Sequence, residues 1–348
     1  MIDPHVHLRD WNQKDKETIG HGLSLYKRAG FSWVFDMPNT NPPLTSEECI
    51  LKRLEEGEGI GKAYGIRYSV YAGLTSDENQ IEAMVKLQNK LFPRIIGLKL
   101  FLSNSTGNMG ITTIDDQRRV IRILSECGYK GVLVVHAEKE SLNDSSRFVI
   151  NDFSTHSLAR PGGSEIESVR DIITLVDEVG FGGHLHIAHI STKGAVELVK
   201  SAKDKGLSIS MGATPHHSLY NVADAKERSR YLKMNPPLRD ESDRAYIFSS
   251  LLDGVIDDVE SDHAPHTLSD KEKGASGIPG LSGMLLLLHV LRKNGASEER
   301  LKDLYGRNIA RIFSLSECNI HLPDEDEVKR VFESLKGEYP FESFVWRA

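Results

Sequence analysis

Two histidines two residues apart, His5 and His7, stand in a segment that reads as a strand. Residues i and i+2 of a strand point to one face, so both imidazoles can aim at a common point. Neutral imidazole is a frequent ligand of transition metals. An isolated pair of this kind is equally two polar residues on a solvated strand face, so further ligands must come from elsewhere. Candidates recur along the chain: Lys99 in Gly97-Leu98-Lys99, His136 in Val135-His136-Ala137-Glu138, His189 in Ala188-His189-Ile190-Ser191, and Asp262 in Ser261-Asp262-His263-Ala264-Pro265-His266. Imidazole nitrogens with a carboxylate oxygen suit zinc, with manganese, cobalt or iron as substitutes. Such an ion lowers the pKa of its bound water to about 7. Asp262 could both ligate the ion and take a proton from that water, which makes it the expected general acid/base.

Lys99 interrupts an otherwise apolar strand, and a buried unpaired ammonium is expensive. It is either paired to a carboxylate or carboxylated by CO₂, in which case the carbamate could bridge two metal ions. Arg9, two residues after His7, shares its side of the strand and can fork onto a carboxylate; otherwise it is a surface arginine. His216, His217 and His263 adjoin expected strand ends, where they could support the ligands. His184 and His186 read as structural, with His186 out of phase with His189 and facing the other way. His21, His156, His289 and His321 read as surface or packing residues.

These residues must be positioned by regular elements. Hydrophobic runs bounded by turn signals predict strands over 2–8, 32–37, 67–72, 95–102, 131–137, 185–190, 207–213 and 255–260. Between and after them, patterning predicts helices over 16–29, 45–56, 78–91, 115–127, 164–179, 192–205, 241–252 and 280–291. Eight strand–helix units in series imply a (β/α)₈ TIM-type barrel, in which every strand C-terminus faces one mouth. An open doubly wound sheet is the rival, but no Gly-x-Gly-x-x-Gly follows a strand. The expected division is a barrel over 1–297 and a helical extension over 298–348, packed on the barrel.

The net charge of −7 over 348 residues argues against a nucleic-acid partner. No apolar run approaches 18 residues, so no membrane-spanning helix is expected. Asp3 and Asp10 sit where a signal peptide would be apolar. Cys49, Cys127 and Cys318 show no Cys-x-x-Cys spacing, which suggests a reducing, cytoplasmic setting.

Nine stretches, in order over about residues 1–290, resemble the dihydroorotases of the amidohydrolase superfamily. They are Asp3-Pro4-His5-Val6-His7-Leu8-Arg9, Met37-Pro38-Asn39-Thr40, Gly97-Leu98-Lys99, Val135-His136-Ala137-Glu138, Arg160-Pro161, His186-Ile187-Ala188-His189-Ile190-Ser191, Thr214-Pro215-His216-His217, Asn235-Pro236-Pro237-Leu238-Arg239 and Ser261-Asp262-His263-Ala264-Pro265-His266. The resemblance implies reversible cyclisation of N-carbamoyl-L-aspartate to L-dihydroorotate, a step of pyrimidine biosynthesis, by metal-hydroxide chemistry with Asp262 as general acid/base. It implies His5, His7, Lys99, His136, His189 and Asp262 as metal ligands around one or two zinc ions, with carboxylated Lys99 as the bridge. Arg9, Asn39 and His266 would hold the substrate's α-carboxylate, and Asn235 its ring or carbamoyl group. The alternatives are a related cyclic amidohydrolase, allantoinase or dihydropyrimidinase, and an inactive dihydroorotase-like structural partner. The expected partner is a small-molecule substrate, with room for a homo-oligomer and for association with aspartate transcarbamoylase.

The chain also departs from the family pattern. Arg9 is followed by Asp10-Trp11-Asn12 where Glu-Pro-Gly is usual. The loop after strand four, 103–107, carries no carboxylate, which leaves Lys99 as the bridging candidate. The strands that often precede the first histidine pair are missing, so the barrel is expected to lack most or all of the usual small β-sandwich.

Overall fold

The computed structural model describes residues 1–104, 109–316 and 319–346. The strands are β1 (Ile2–Val6), β2 (Trp33–Asp36), β3 (Arg67–Gly73), β4 (Ile95–Phe101), β5 (Val132–His136), β6 (His184–Ile187), β7 (Ile209–Ala213) and β8 (Asp258–Val259). They form one parallel sheet in sequence order. Closure comes just beyond β8, where His263 bridges Val6 and His7 N donates to His263 O at 2.8 Å. The chain is therefore a (β/α)₈ barrel. The long helices are α1 (Ile19–Arg28), α2 (Glu47–Tyr64), α3 (Glu78–Leu91), α4 (Ile114–Glu126), α5 (Gly162–Val179), α6 (Lys193–Asp204), α7 (Glu241–Leu252), α8 (Leu281–Lys293) and α9 (Glu325–Ser334). No helix among the described residues is long and apolar enough to cross a membrane.

Helix starts follow local chemistry. Thr18, Ser46, Asp77, Thr113 and Thr192 each accept a backbone N–H of the first turn, satisfying donors that the helix itself cannot. One expectation fails instructively. Gly57, Gly59 and Gly61 suggest a stop near Glu56, yet α2 runs to Tyr64 and ends at Gly65 with φ 67°. A Cβ at Gly57 would overlap the Tyr68 ring, and one at Gly61 would lie 2.6 Å from the Ile66 carbonyl. These glycines let α2 lie close on β3 rather than ending it. The helical extension expected over 298–348 is likewise interrupted near its start: Gly306 has φ 174° and ψ −47°, and a Cβ there would overlap the Ile320 side chain.

The C-terminal segment is tied to the mouth of the barrel through a buried carboxylate. Glu17 Oε1 accepts from the Tyr339 hydroxyl at 2.5 Å and faces His263 Nε2 at 3.2 Å. Burial alone would raise the Glu17 pKa. The His263 charge and hydrogen bonds from His21, His263 and Tyr339 outweigh it and bring it from 4.5 down to about 2. A carboxyl depressed in the folded state stabilises the protein above its unfolded pKa, near 4.3, and that contribution is lost as pH falls. Melting temperature should therefore drop between about pH 4 and 2, by the equivalent of ~3 kcal/mol. A Glu17→Gln variant should be less stable at pH 7 and show a flatter profile over that interval; an unchanged profile would remove Glu17 as the cause.

Candidate metal centre and substrate pocket

β1 delivers His5 and lies one residue short of His7, and the two ring centroids are 5.2 Å apart. His7 Nε2 lies 2.9 Å and His5 Nε2 3.5 Å from Asp262 Oδ1. The ligand atoms of His5, His7 and Asp262 all fall within 4.8 Å of one another, and all three residues are buried. On the opposite wall His136, the last residue of β5, places Nδ1 3.1 Å from His189 Nε2. The His5 and His189 rings are 5.1 Å apart, which joins the two halves.

The outward nitrogen of three of these rings is held. His7 Nδ1 meets Asn39 Oδ1 at 2.7 Å, His5 Nδ1 meets Glu260 Oε2 at 3.1 Å, and His136 Nε2 meets Glu138 Oε2 at 2.8 Å. A partner that accepts the proton of one nitrogen leaves the lone pair of the other pointing inward, the arrangement that orients metal-ligating histidines. Burial first of all, then the neighbouring histidines and Lys99, push His189 well below the usual histidine range, so it stays neutral. Burial likewise lowers His5, to about 4, against the opposing charge of Glu260.

Lys99 is fully buried on β4, and its Nζ has no hydrogen-bond partner among the described residues. Burial lowers its pKa to about 8, opposed by the charges of Glu260 and Asp262. Its amine also acts electrostatically on His5, His136 and His189. An unpaired amine among histidines held below their usual pKa range is costly as it stands, and a divalent metal bound with Lys99 among its ligands would remove that cost. His189 Nδ1 is likewise without a partner. The donor set, the inward lone pairs and these orphaned atoms fit a bound divalent metal.

Backbone geometry marks the same place. His189 (φ 40°) and Asp262 (φ 46°) adopt the left-handed region, which is disfavoured for such residues and tends to persist at functional sites. β6 ends at Ile187, so His189 lies in the turn beyond it. That departure also corrects the expectation for His186. Counting strand parity back from His189 turns His186 away, yet its Nε2 lies 3.9 Å from Glu260 Oε2, on the same carboxylate that holds His5.

The pocket over this cluster is lined by His5, His7, His136, His189 and Asp262 together with Arg9, Asn39, Asn235, Ser276 and Gly277. Of the ten residues singled out from the sequence, eight line the pocket; Lys99 and His266 do not, and His266 is in contact with Arg9. The Arg9 side chain is buried; Nε donates to the Pro265 carbonyl at 3.2 Å, and Nη2 lies 3.3 Å from His266 Nε2. Asn235 is held through its Oδ1 by His156 Nε2 at 2.8 Å. His156 is thus a buried support for a pocket residue, something its loop context does not disclose. His217 Nε2 meets the Pro236 carbonyl at 3.0 Å, next to Asn235.

Two carboxylates escaped the sequence reading. Glu260 and Glu138 lie two residues before Asp262 and two after His136, and that spacing is itself the signal that could have found them. Arg160, from the Arg160-Pro161 stretch, pairs with Glu138 at 2.6 Å and so completes the support of His136. The loop residues 105–108 and Cys318 lie outside the described residues.

No protein-family model matches the chain. Curated relatives do. A dihydroorotase of Lactobacillus gasseri is 30% identical over 344 residues, covering 96% of this chain and 77% of that protein. One from Geobacillus thermodenitrificans is 32% identical over 328 residues, covering 90% and 72%, and one from Pyrococcus abyssi 33% over 317 residues, covering 90% and 68%. Among solved structures, the L-hydantoinase (dihydropyrimidinase) of Arthrobacter aurescens superposes with a TM-score of 0.79 at 24% identity, covering 90% of this chain and 70% of that one. The dihydroorotase of Campylobacter jejuni superposes with a TM-score of 0.69 at 20% identity, covering 91% and 84%. The structural matches speak for the fold, and the sequence matches decide the family: the chain belongs to the dihydroorotases, among the metal-dependent cyclic amidohydrolases.

Proposed function

We propose that the chain interconverts N-carbamoyl-L-aspartate and L-dihydroorotate, with zinc held by His5, His7, His136, His189, Asp262 and a carboxylated Lys99. The observation that carries this reading is the buried Arg9 guanidinium, backed by His266, in the same pocket as the ligand cluster. A fixed cation beside a metal centre suits a cyclic amide that bears a carboxylate, and suits an uncharged ring less well.

When bound, the metal would polarise the amide carbonyl and acidify water at neutral pH. The chain's own residues do the rest. Arg9 clamps the substrate carboxylate with its fork, Asn39 borders the same anion, and His266 backs the guanidinium rather than reaching the substrate. Asn235, held by His156, presents its amide to the ring edge. In ring opening, Asp262 takes the proton of the attacking water and returns it to the ring nitrogen as the C–N bond breaks. In ring closure the order reverses: Asp262 takes the proton of the attacking ureido nitrogen as the C–N bond forms and delivers it to the departing oxygen as the C–O bond breaks, releasing water. Burial alone would raise the Asp262 pKa, but its hydrogen-bonding contact with His7, and then its closeness to His5 and His216, hold it well below the ordinary carboxylate range. It is therefore ionised and able to accept a proton at neutral pH.

The test is turnover of L-dihydroorotate, dihydrouracil, hydantoin and allantoin by the purified protein, before and after dialysis against a chelator. Dihydroorotate should be the preferred substrate, activity should vanish on chelation, and zinc should restore it. Faster hydrolysis of hydantoin or dihydrouracil would favour the activity named for the structural neighbour that superposes at 0.79. No turnover of any ring by fully metallated protein would defeat both.

A further inference from the structure

One layer beneath the mouth, the barrel interior holds a second cluster. His186 lies on β6, in register with Val134 and Ser210. Asp258, on β8, is in register with Gly212, and Glu260 lies just past the end of that strand and converges on the same point. One ligand atom from each of His186, Asp258 and Glu260 falls within 4.8 Å of the others, and all three residues are buried. Neither Oδ1 nor Oδ2 of Asp258 has a hydrogen-bond partner among the described residues, and neither has His186 Nε2. The His186 Nδ1 side is occupied by Ser210 Oγ at 2.7 Å, which leaves Nε2 turned towards the carboxylates. Glycine at 212 is what makes room: a Cβ there would lie 2.9 Å from Asp258 Oδ1 and 3.0 Å from Glu260 Cδ.

Glu260 has partners in His5 Nδ1 and the His189 backbone N–H, but buried Asp258 has none among the described residues and is poorly compensated by the protein alone. Burying an unpartnered carboxylate costs several kcal/mol or forces its protonation. The surrounding charges that act on Asp258 are His186, Glu260, Asp257 and Lys203, so two of the four are anions. We propose that His186 Nε2, Asp258 and Glu260 form a further metal site for a divalent ion of the zinc or manganese type, separate from the cluster at the mouth. The donor set is one nitrogen and two carboxylate oxygens, which these ions accept. The site is linked to the mouth through Glu260, which also contacts His5 Nδ1 and the His189 backbone N–H. Its role is structural. β8 is two residues long and has two register pairs with β7, so an ion held between His186 and the β8 carboxylates would fasten the weakest stave of the barrel.

The test uses the full chain and does not depend on which ring is the substrate. Crystals grown with zinc are measured at the zinc absorption edge. An anomalous peak between His186, Asp258 and Glu260, separate from density at His5 and Asp262, is the expected result; its absence while the mouth is occupied overturns the proposal. In solution, Asp258→Asn should lose one metal equivalent per chain relative to the native protein, while metal at the mouth remains. Native protein should also lose melting temperature on chelation by a larger margin than the Asp258→Asn variant does. A folded variant with undiminished metal content would show instead that the cluster is held by a shared proton. If the variant does not fold, the anomalous map of the native protein decides alone.

Discussion

Asp262→Asn should lower kcat by roughly 10²- to 10⁴-fold, the range for loss of a positioned acid/base, while the metal content of the protein falls little. The asparagine keeps an oxygen near His7 Nε2, 2.9 Å away in the native protein, so most of the ligand geometry survives. What disappears is the proton acceptor. The comparison to make is kcat for dihydroorotate against metal per chain, on the same preparation. Full activity in the variant would remove Asp262 from the proton transfer. A parallel loss of metal and activity would mean that its part is ligation alone.

Arg9→Met should act on substrate choice more than on chemistry. The native guanidinium is buried, and burial lowers its pKa against the opposing charges of Glu17, Asp262, Asp36 and Asp270. A charge-assisted hydrogen bond in such a setting is worth about 1.5–3 kcal/mol, so kcat/KM for dihydroorotate should fall roughly 10- to 150-fold, mainly through KM. Turnover of dihydrouracil, which has no carboxylate to clamp, should change little. Arg9→Lys should recover part of the loss, because a point charge remains while the planar fork is gone. Equal losses on both rings would show that Arg9 supports the pocket wall without recognising the anion. A melting curve guards against the simpler outcome, since the Arg9 Nε bond to the Pro265 carbonyl also joins the segment after β1 to the loop after β8.

Much of this architecture is legible in the amino-acid sequence. Periodicity located all eight strands, and the placing of His5, His7, Lys99, His136 and Asp262 at or near strand ends followed from a barrel having one mouth. Element ends were less legible, because tertiary contacts set them. The glycines of α2 look like a stop in one dimension and are a packing surface in three. His186 was misjudged for a related reason: alternation of side chains holds only while the chain remains a strand, and β6 ends before His189. His156 lay in a segment with no periodicity, so nothing local could reveal that it supports Asn235.

The amino-acid sequence by itself determined the alternation of strands and helices, and with it the residues able to meet at the mouth. Spacing and residue type are local properties, and hydrophobic patterning carries them. Only the tertiary structure decided which nitrogen of each histidine is held, because Glu260 and Asn39 reach His5 and His7 from distant strands and loops. It also decided that Lys99 has no hydrogen-bond partner among the described residues and that Asp258 and His186 converge below the mouth. Those facts depend on distances between side chains hundreds of residues apart in some cases, and only closure of the barrel brings such groups together.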